Sequence, residues 1–131
     1  MRILLADSQS KVRYALKVLL ERQAGIHVVG EAIDAGDLLD MVEADCPDVV
    51  LLAWELPGMP AAQLLATLRG MCPDLIVIAL SGRLEARRAA LCAEADGFVS
   101  KGEPPERLLR TISDCTSNLP SKVSVPESGQ D

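Results

Sequence analysis

The chain has 131 residues, carries a net charge of −6 and is 49% hydrophobic but only 2% aromatic. That length suits one domain with a core large enough to need no staples, and that hydrophobic content excludes disorder of the whole chain. The acidic balance excludes the electrostatic footprint that a nucleic-acid backbone or an anionic membrane surface requires, and scarce aromatic faces leave bases and sugars little to stack on. No apolar run reaches the roughly 18 residues of a membrane span. Met1-Arg2-Ile3-Leu4-Leu5 meets Asp7 too soon for a signal peptide. Cys46, Cys72, Cys92 and Cys115 show neither a C-x-x-C nor a metal-ligand spacing. They predict small free thiols in a reducing cytosol, and hence a cytoplasmic protein.

Arg2 to Asp7 is a short apolar run ending in an acid and predicts a buried strand. Ser8-Gln9-Ser10 offers a cap for a helix carrying Val12, Ala15, Leu16 and Leu19 at helical spacing, with Gly25 as its left-handed stop. Ile26 to Ala32 predicts a second strand whose lone His27 is solvated. Asp34 then caps a helix that turns Leu38, Leu39 and Val42 inward. After the Pro47-Asp48 break, Val49-Val50-Leu51-Leu52-Ala53 has no polar alternation, as a central parallel strand covered on both faces requires. Leu56-Pro57-Gly58-Met59-Pro60 is a turn and helix start, followed by the stripe Leu64, Leu65, Leu68.

Leu75 to Leu80 is another buried strand, Ser81-Gly82 a loop, and a helix is predicted from Leu84 to Ala95, stopped by Asp96-Gly97. Its run Glu85-Ala86-Arg87-Arg88 reads as a solvated face. Phe98-Val99-Ser100 is a last short strand, and Pro104 or Pro105 opens a final helix with Leu108, Leu109 and Ile112 inward. Strand–helix alternation of this kind means a doubly wound parallel sheet with right-handed crossovers. From Thr116 periodicity fades into Ser, Pro, Gly and charge, which predicts a flexible tail or linker over residues 116–131 behind a domain spanning 1–115.

In such a sheet ligands bind beyond the carboxyl ends of the strands, near the switch in strand order. That rule brings Asp7-Ser8, Ala53, Ser81 and Lys101 to one mouth. The stretches Ile3-Leu4-Leu5-Ala6-Asp7, Pro47 to Leu52, Leu56-Pro57-Gly58-Met59, Ala79-Leu80-Ser81-Gly82 and Ala95 to Gly102 together resemble a bacterial response-regulator receiver domain. The type is the one fused to a helix-turn-helix output domain. The resemblance implies a flavodoxin-like (βα)5 sheet of order 2-1-3-4-5. It implies a place in a two-component phosphorelay that controls transcription, with a sensor kinase upstream. It also implies protein partners, a homodimer or an output domain, met through the last two helices and last strand.

The resemblance further implies a pair of acids after the first strand, a phospho-accepting Asp ending the third, a hydroxyl after the fourth and a Lys after the fifth. A carboxylate of this kind attacks a phosphoryl group, Mg²⁺ offsets the charge, and the hydroxyl and an aromatic switch residue follow. Asp7 matches the first acid, but the second is Ser8. The acceptor position, four residues before Pro57, is Ala53. Ser81, Phe98 and Lys101 match the hydroxyl, aromatic and basic positions.

Asp7 and Lys101 sum to about zero charge, a poor offer to Mg²⁺, which demands several oxygen ligands. No cofactor is therefore expected, and Mg²⁺ binding is predicted weak or absent, with Asp7 and Glu55 as residual candidates. Glu55, two residues past Ala53, reads as either a solvated loop acid or a carboxylate that swings toward the mouth as a partial substitute, and Ser81 as either a switch hydroxyl or a helix cap. Trp54 reads as either a rim residue or plain packing. A partly buried ammonium without a counter-charge is costly, so Lys101 is predicted to pair with Asp7.

Two readings follow. One is a receiver that works as a phosphate-independent interaction or dimerisation module. The other is a phosphorylatable receiver whose Asp was deliberately replaced by Ala. An enzyme such as a flavodoxin is disfavoured, because Asp7-Ser8-Gln9-Ser10 has no glycine to cradle a phosphate.

Overall fold

Uninterrupted apolar runs form strands and striped runs form helices, in strict alternation: β1 (Arg2–Ala6), α1 (Ser10–Glu21), β2 (His27–Ala32), α2 (Ala35–Ala44), β3 (Val49–Ala53), α3 (Ala61–Met71), β4 (Ile76–Ser81), α4 (Ala86–Cys92), β5 (Gly97–Ser100) and α5 (Pro105–Thr116). This computed structural model describes residues 1–117. The strands are parallel in the order β2-β1-β3-β4-β5, as the resemblance implies. β1 and β3 flank the switch point, so their carboxyl ends frame the crevice in which such sheets bind ligands.

Alternation along each strand sorts the core into two layers. Leu4, Val50, Leu52, Val77 and Ala79 pack under α2, α3 and α4. Ile3, Leu5, Leu51, Ile78 and Leu80 pack under α1 and α5. Every residue of β3 and β4 is buried, which is why their sequences show no polar alternation. Each fully buried Leu or Ile contributes about 1.5–3 kcal/mol relative to exposure, and both layers are built from them with Phe98 as the one buried aromatic.

Local devices fix the loops. The Asp34 carboxylate caps α2 by accepting from Asp37 N–H at 2.8 Å. The loop after β3 folds back on the start of α2, where Ala35 N–H donates to Pro57 C=O at 2.9 Å. Gly58 makes that approach with φ +107°; a Cβ there would stand 3.2 Å from Ala35 N. The turn motif therefore needs glycine for both its conformation and its clearance.

Several expectations need correction. The helix expected over Leu84 to Ala95 is α4, only Ala86–Cys92, because Glu94 takes a positive φ of 68° and Ala95 N–H returns to Ala90 C=O. The stop falls before Asp96-Gly97. Gly25 has φ +82° but lies in the turn to β2, since α1 already ends at Glu21. Ser8-Gln9-Ser10 provides no side-chain cap to α1. Thr116 belongs to α5, its hydroxyl donating to Ile112 C=O at 2.7 Å; the tail expected beyond it lies outside the described residues after Ser117. Two of the expected free thiols, Cys46 and Cys72, form a disulfide that ties the end of α2 to the end of α3. Cys92 and Cys115 are free, and His27 is exposed on the edge strand as expected. Among the described residues no helix is long and apolar enough to cross a membrane.

Candidate functional site

The sheet ladder runs one residue past several strand ends, and this places the site. Asp7 N–H donates to Ala32 C=O at 3.0 Å, Trp54 N–H to Leu80 C=O at 2.8 Å and Lys101 N–H to Ser81 C=O at 2.9 Å. The backbones of Asp7, Ala53, Ser81 and Lys101 are thus set by strand pairing, and the four residues expected at one mouth meet there.

Asp7 is 3% exposed. A carboxylate so far from water must be partnered. One oxygen accepts from Gln9 N–H at 2.9 Å and the other from Lys101 Nζ at 2.7 Å. The pairing expected of Lys101 is therefore present. Asp7 follows β1 and Lys101 follows β5, with β3 and β4 between them in the sheet. The Lys101 side chain must arch across the carboxyl ends of both intervening strands. Arg13 adds a second cation from α1, donating to the Asp7 carbonyl at 2.8 Å and to Glu31 at 3.0 Å.

Ser81 is fully buried and uses both of its hydrogen-bonding capacities. Its hydroxyl donates to Glu55 Oε2 at 2.8 Å and accepts from Arg83 N–H at 3.0 Å. Of the two readings of Glu55, the structure favours the carboxylate turned to the mouth, where it accepts from Ser81. Between these two pairs, Ala53 ends β3 with only a methyl group, 3% exposed. Ser8 is exposed. Trp54 is half-buried and packs on the layer under α2, α3 and α4, which favours the packing role over a free rim.

Phe98 is buried on β5 within the same layer, and the Arg87 guanidinium lies 5.1 Å from its ring centroid. A cation over an aromatic face at such range contributes about 0.5–1 kcal/mol at exposed sites. The charge run at the start of α4, read as a solvated face, therefore contributes one side chain to the surroundings of the aromatic position. Sequence reasoning missed this stacking, and it offered the turn of Glu55 toward the mouth without naming Ser81 as its partner. The only signals were a Glu two residues past Ala53 and an Arg in a charged run. Among the described residues no group of three or more His, Cys, Asp or Glu stands close enough together to hold a metal ion.

Residues 3–113 match the response regulator receiver domain. The nitrate/nitrite response regulator protein NarL of Escherichia coli is 33% identical over 112 residues, which are 84% of this chain and 52% of NarL. NarP of the same species is 31% identical over 113 residues, 85% of this chain and 53% of NarP. The chain thus spans about half the length of these curated relatives. Among solved structures, a LuxR-family two-component response regulator from an Aurantimonas species superposes with a TM-score of 0.82 at 28% identity, over 88% of this chain and 84% of that one. A CheY-like receiver from Methanospirillum hungatei gives 0.76 at 29%, over 86% and 90%. With the strand order, the five matching segments and the mouth all in agreement, the chain belongs to the response regulator receiver domain family, modules of two-component signalling.

Proposed function

We propose that this receiver transmits its signal without being phosphorylated. Ala53 occupies the place of the phospho-acceptor, and a methyl group has no lone pair with which to attack phosphorus. The observation that carries the reading is that the polar groups of the mouth are already satisfied within the chain: Asp7 with Lys101, and Ser81 with Glu55. The ammonium and hydroxyl that would greet a phosphoryl group are held by internal carboxylates instead.

The same pairs leave a poor site for Mg²⁺, which requires octahedral oxygen ligation and sheds water reluctantly. Asp7 would have to give up Lys101, and Glu55 would have to give up Ser81. In this reading the module is not an enzyme and works as a protein-interaction domain, and the Cys46–Cys72 disulfide removes the free-thiol ground for placing it in a reducing cytosol. It meets a second copy or an output domain through α4, β5 and α5. The relatives are about twice as long, and a similar Staphylococcus aureus structure is described as a DNA-binding response regulator of the LuxR family. An attached output domain of that kind would make the whole protein a transcription regulator.

A magnesium titration tests the reading. Low-millimolar Mg²⁺ leaves the thermal unfolding temperature of the chain unchanged. The Ala53→Asp variant adds a carboxylate beside Asp7 and gains Mg²⁺-dependent stability. A rise in the unmodified chain at the same concentrations would mean that a competent metal site survives, and the reading would fail.

A further inference from the structure

α1 and α5 both pack on the sheet but touch each other little, and a cleft of about 360 Å³ opens between them. Its floor is the layer of Leu80 and Val99, and its walls include Leu16 and Leu19 of α1 and Pro105 and Leu108 of α5. The composition explains the gap. Helix α1 presents the small Ala15 to the cleft, and a chain with three aromatic residues in all has no large ring to fill it. The volume matches about a dozen waters at liquid density and falls in the small-ligand range of roughly 300–1,000 Å³.

The polar groups are few and lie at one end. Lys11 and Lys101 stand on the rim with Ser100 and Glu103. Glu103 is occupied, accepting from Ser100 N–H at 2.8 Å and pairing with Arg107 at 3.3 Å. Lys101 is held by Asp7, whereas Lys11 has no ion-pair partner among the described residues.

We propose that the α1–α5 cleft binds a small amphipathic carboxylate, with its apolar body on Leu16, Leu19 and Leu108 and its head at Lys11 beside Lys101. An apolar wall with a single cationic end suits that class better than sugars, which need many polar partners, or cations. Because Lys101 both rims the cleft and bridges to Asp7, a bound carboxylate competes with Asp7 for the same ammonium. The cleft and the mouth thereby share one residue. The inference stands on the cleft alone and holds whether or not the receiver can be phosphorylated.

Phenylbutyrate is a probe of fitting size. Titrated into the ¹⁵N-labelled chain, it shifts amide signals of Val12, Leu16, Leu19, Val99 and Leu108 in a saturable way. Its uncharged amide binds about tenfold more weakly, the loss of one charge-assisted contact. Lys11→Ala weakens the acid by about the same factor and leaves the amide unaffected. Ala15→Trp, at an exposed wall position, removes binding of both while the circular dichroism spectrum is kept. Absence of saturable shifts in the unmodified chain overturns the proposal. So does equal affinity for acid and amide. A concentration-dependent dimer whose contacts map to the same residues also overturns it, because the cleft would then belong to a second copy of the chain.

Discussion

Asp7 carries the tightest constraint at the mouth, since it is buried and its carboxylate is held by Gln9 N–H and the Lys101 ammonium. Asp7→Ala removes the counter-charge from an ammonium that is only 26% exposed. The expected cost is about 1–3 kcal/mol, that of stranding a partly desolvated polar group, measured by urea unfolding at neutral pH. A change within error of zero would mean that Lys101 swings fully into water. The two free thiols differ in a way that pH reveals. Burial, and then the charges of Asp96 and Asp114, push the Cys115 thiol above its ordinary 9.0, whereas Cys92 is exposed on α4. The unfolded chain ionises Cys115 at the ordinary value, so the protonated thiol adds stability below that pH, and the contribution is lost as pH rises above 9.0. Iodoacetamide at mildly alkaline pH therefore alkylates Cys92 first, with Cys115 lagging, and Cys115→Ser flattens the alkaline fall in stability.

Element by element, legibility in the sequence followed the strength of the local signal. β3 is readable because five apolar residues in a row, bounded by Pro47-Asp48, fit only a strand covered on both faces. Asp34 is readable as a cap because its side chain has one obvious backbone donor three residues on. The length of α4 was not readable, because Ala-rich sequence carries no stop and the turn at Glu94 depends on how Asp96 docks: its carboxylate accepts from Val77 N–H at 2.8 Å and from Arg69 at 2.8 Å. The choice between the two readings of Glu55 was undecidable for a similar reason. Its direction follows from a loop pinned by Gly58 against Ala35, a contact between segments far apart in the sequence. The Cys46–Cys72 bond was equally invisible, since a separation of 26 residues says nothing about which helix ends meet. Removing it by Cys46→Ser costs about 3.5 kcal/mol in the loop-closure account. Thermal unfolding with and without a reducing thiol checks this: the unmodified chain loses stability on reduction and the variant does not respond.

On the scale of the whole molecule, two apolar layers hold a parallel sheet whose carboxyl edge is spanned by two internal bridges, Lys101 to Asp7 and Ser81 to Glu55. The fold and family were legible because strand order, turns and strand ends all follow from one repeating pattern. The chemistry of the mouth was legible only in part: the identity of Ala53 needs no structure, but the way the remaining polar groups satisfy one another depends on which strand ends face each other. A module built this way keeps the architecture of a phosphate switch with its polar groups committed elsewhere. Intact-mass spectrometry of the chain after incubation with acetyl phosphate and Mg²⁺, beside the Ala53→Asp variant, tests this most directly. The unmodified chain keeps its mass while the variant gains one phosphoryl group; an acid-labile phosphoryl adduct on the unmodified chain would contradict the account.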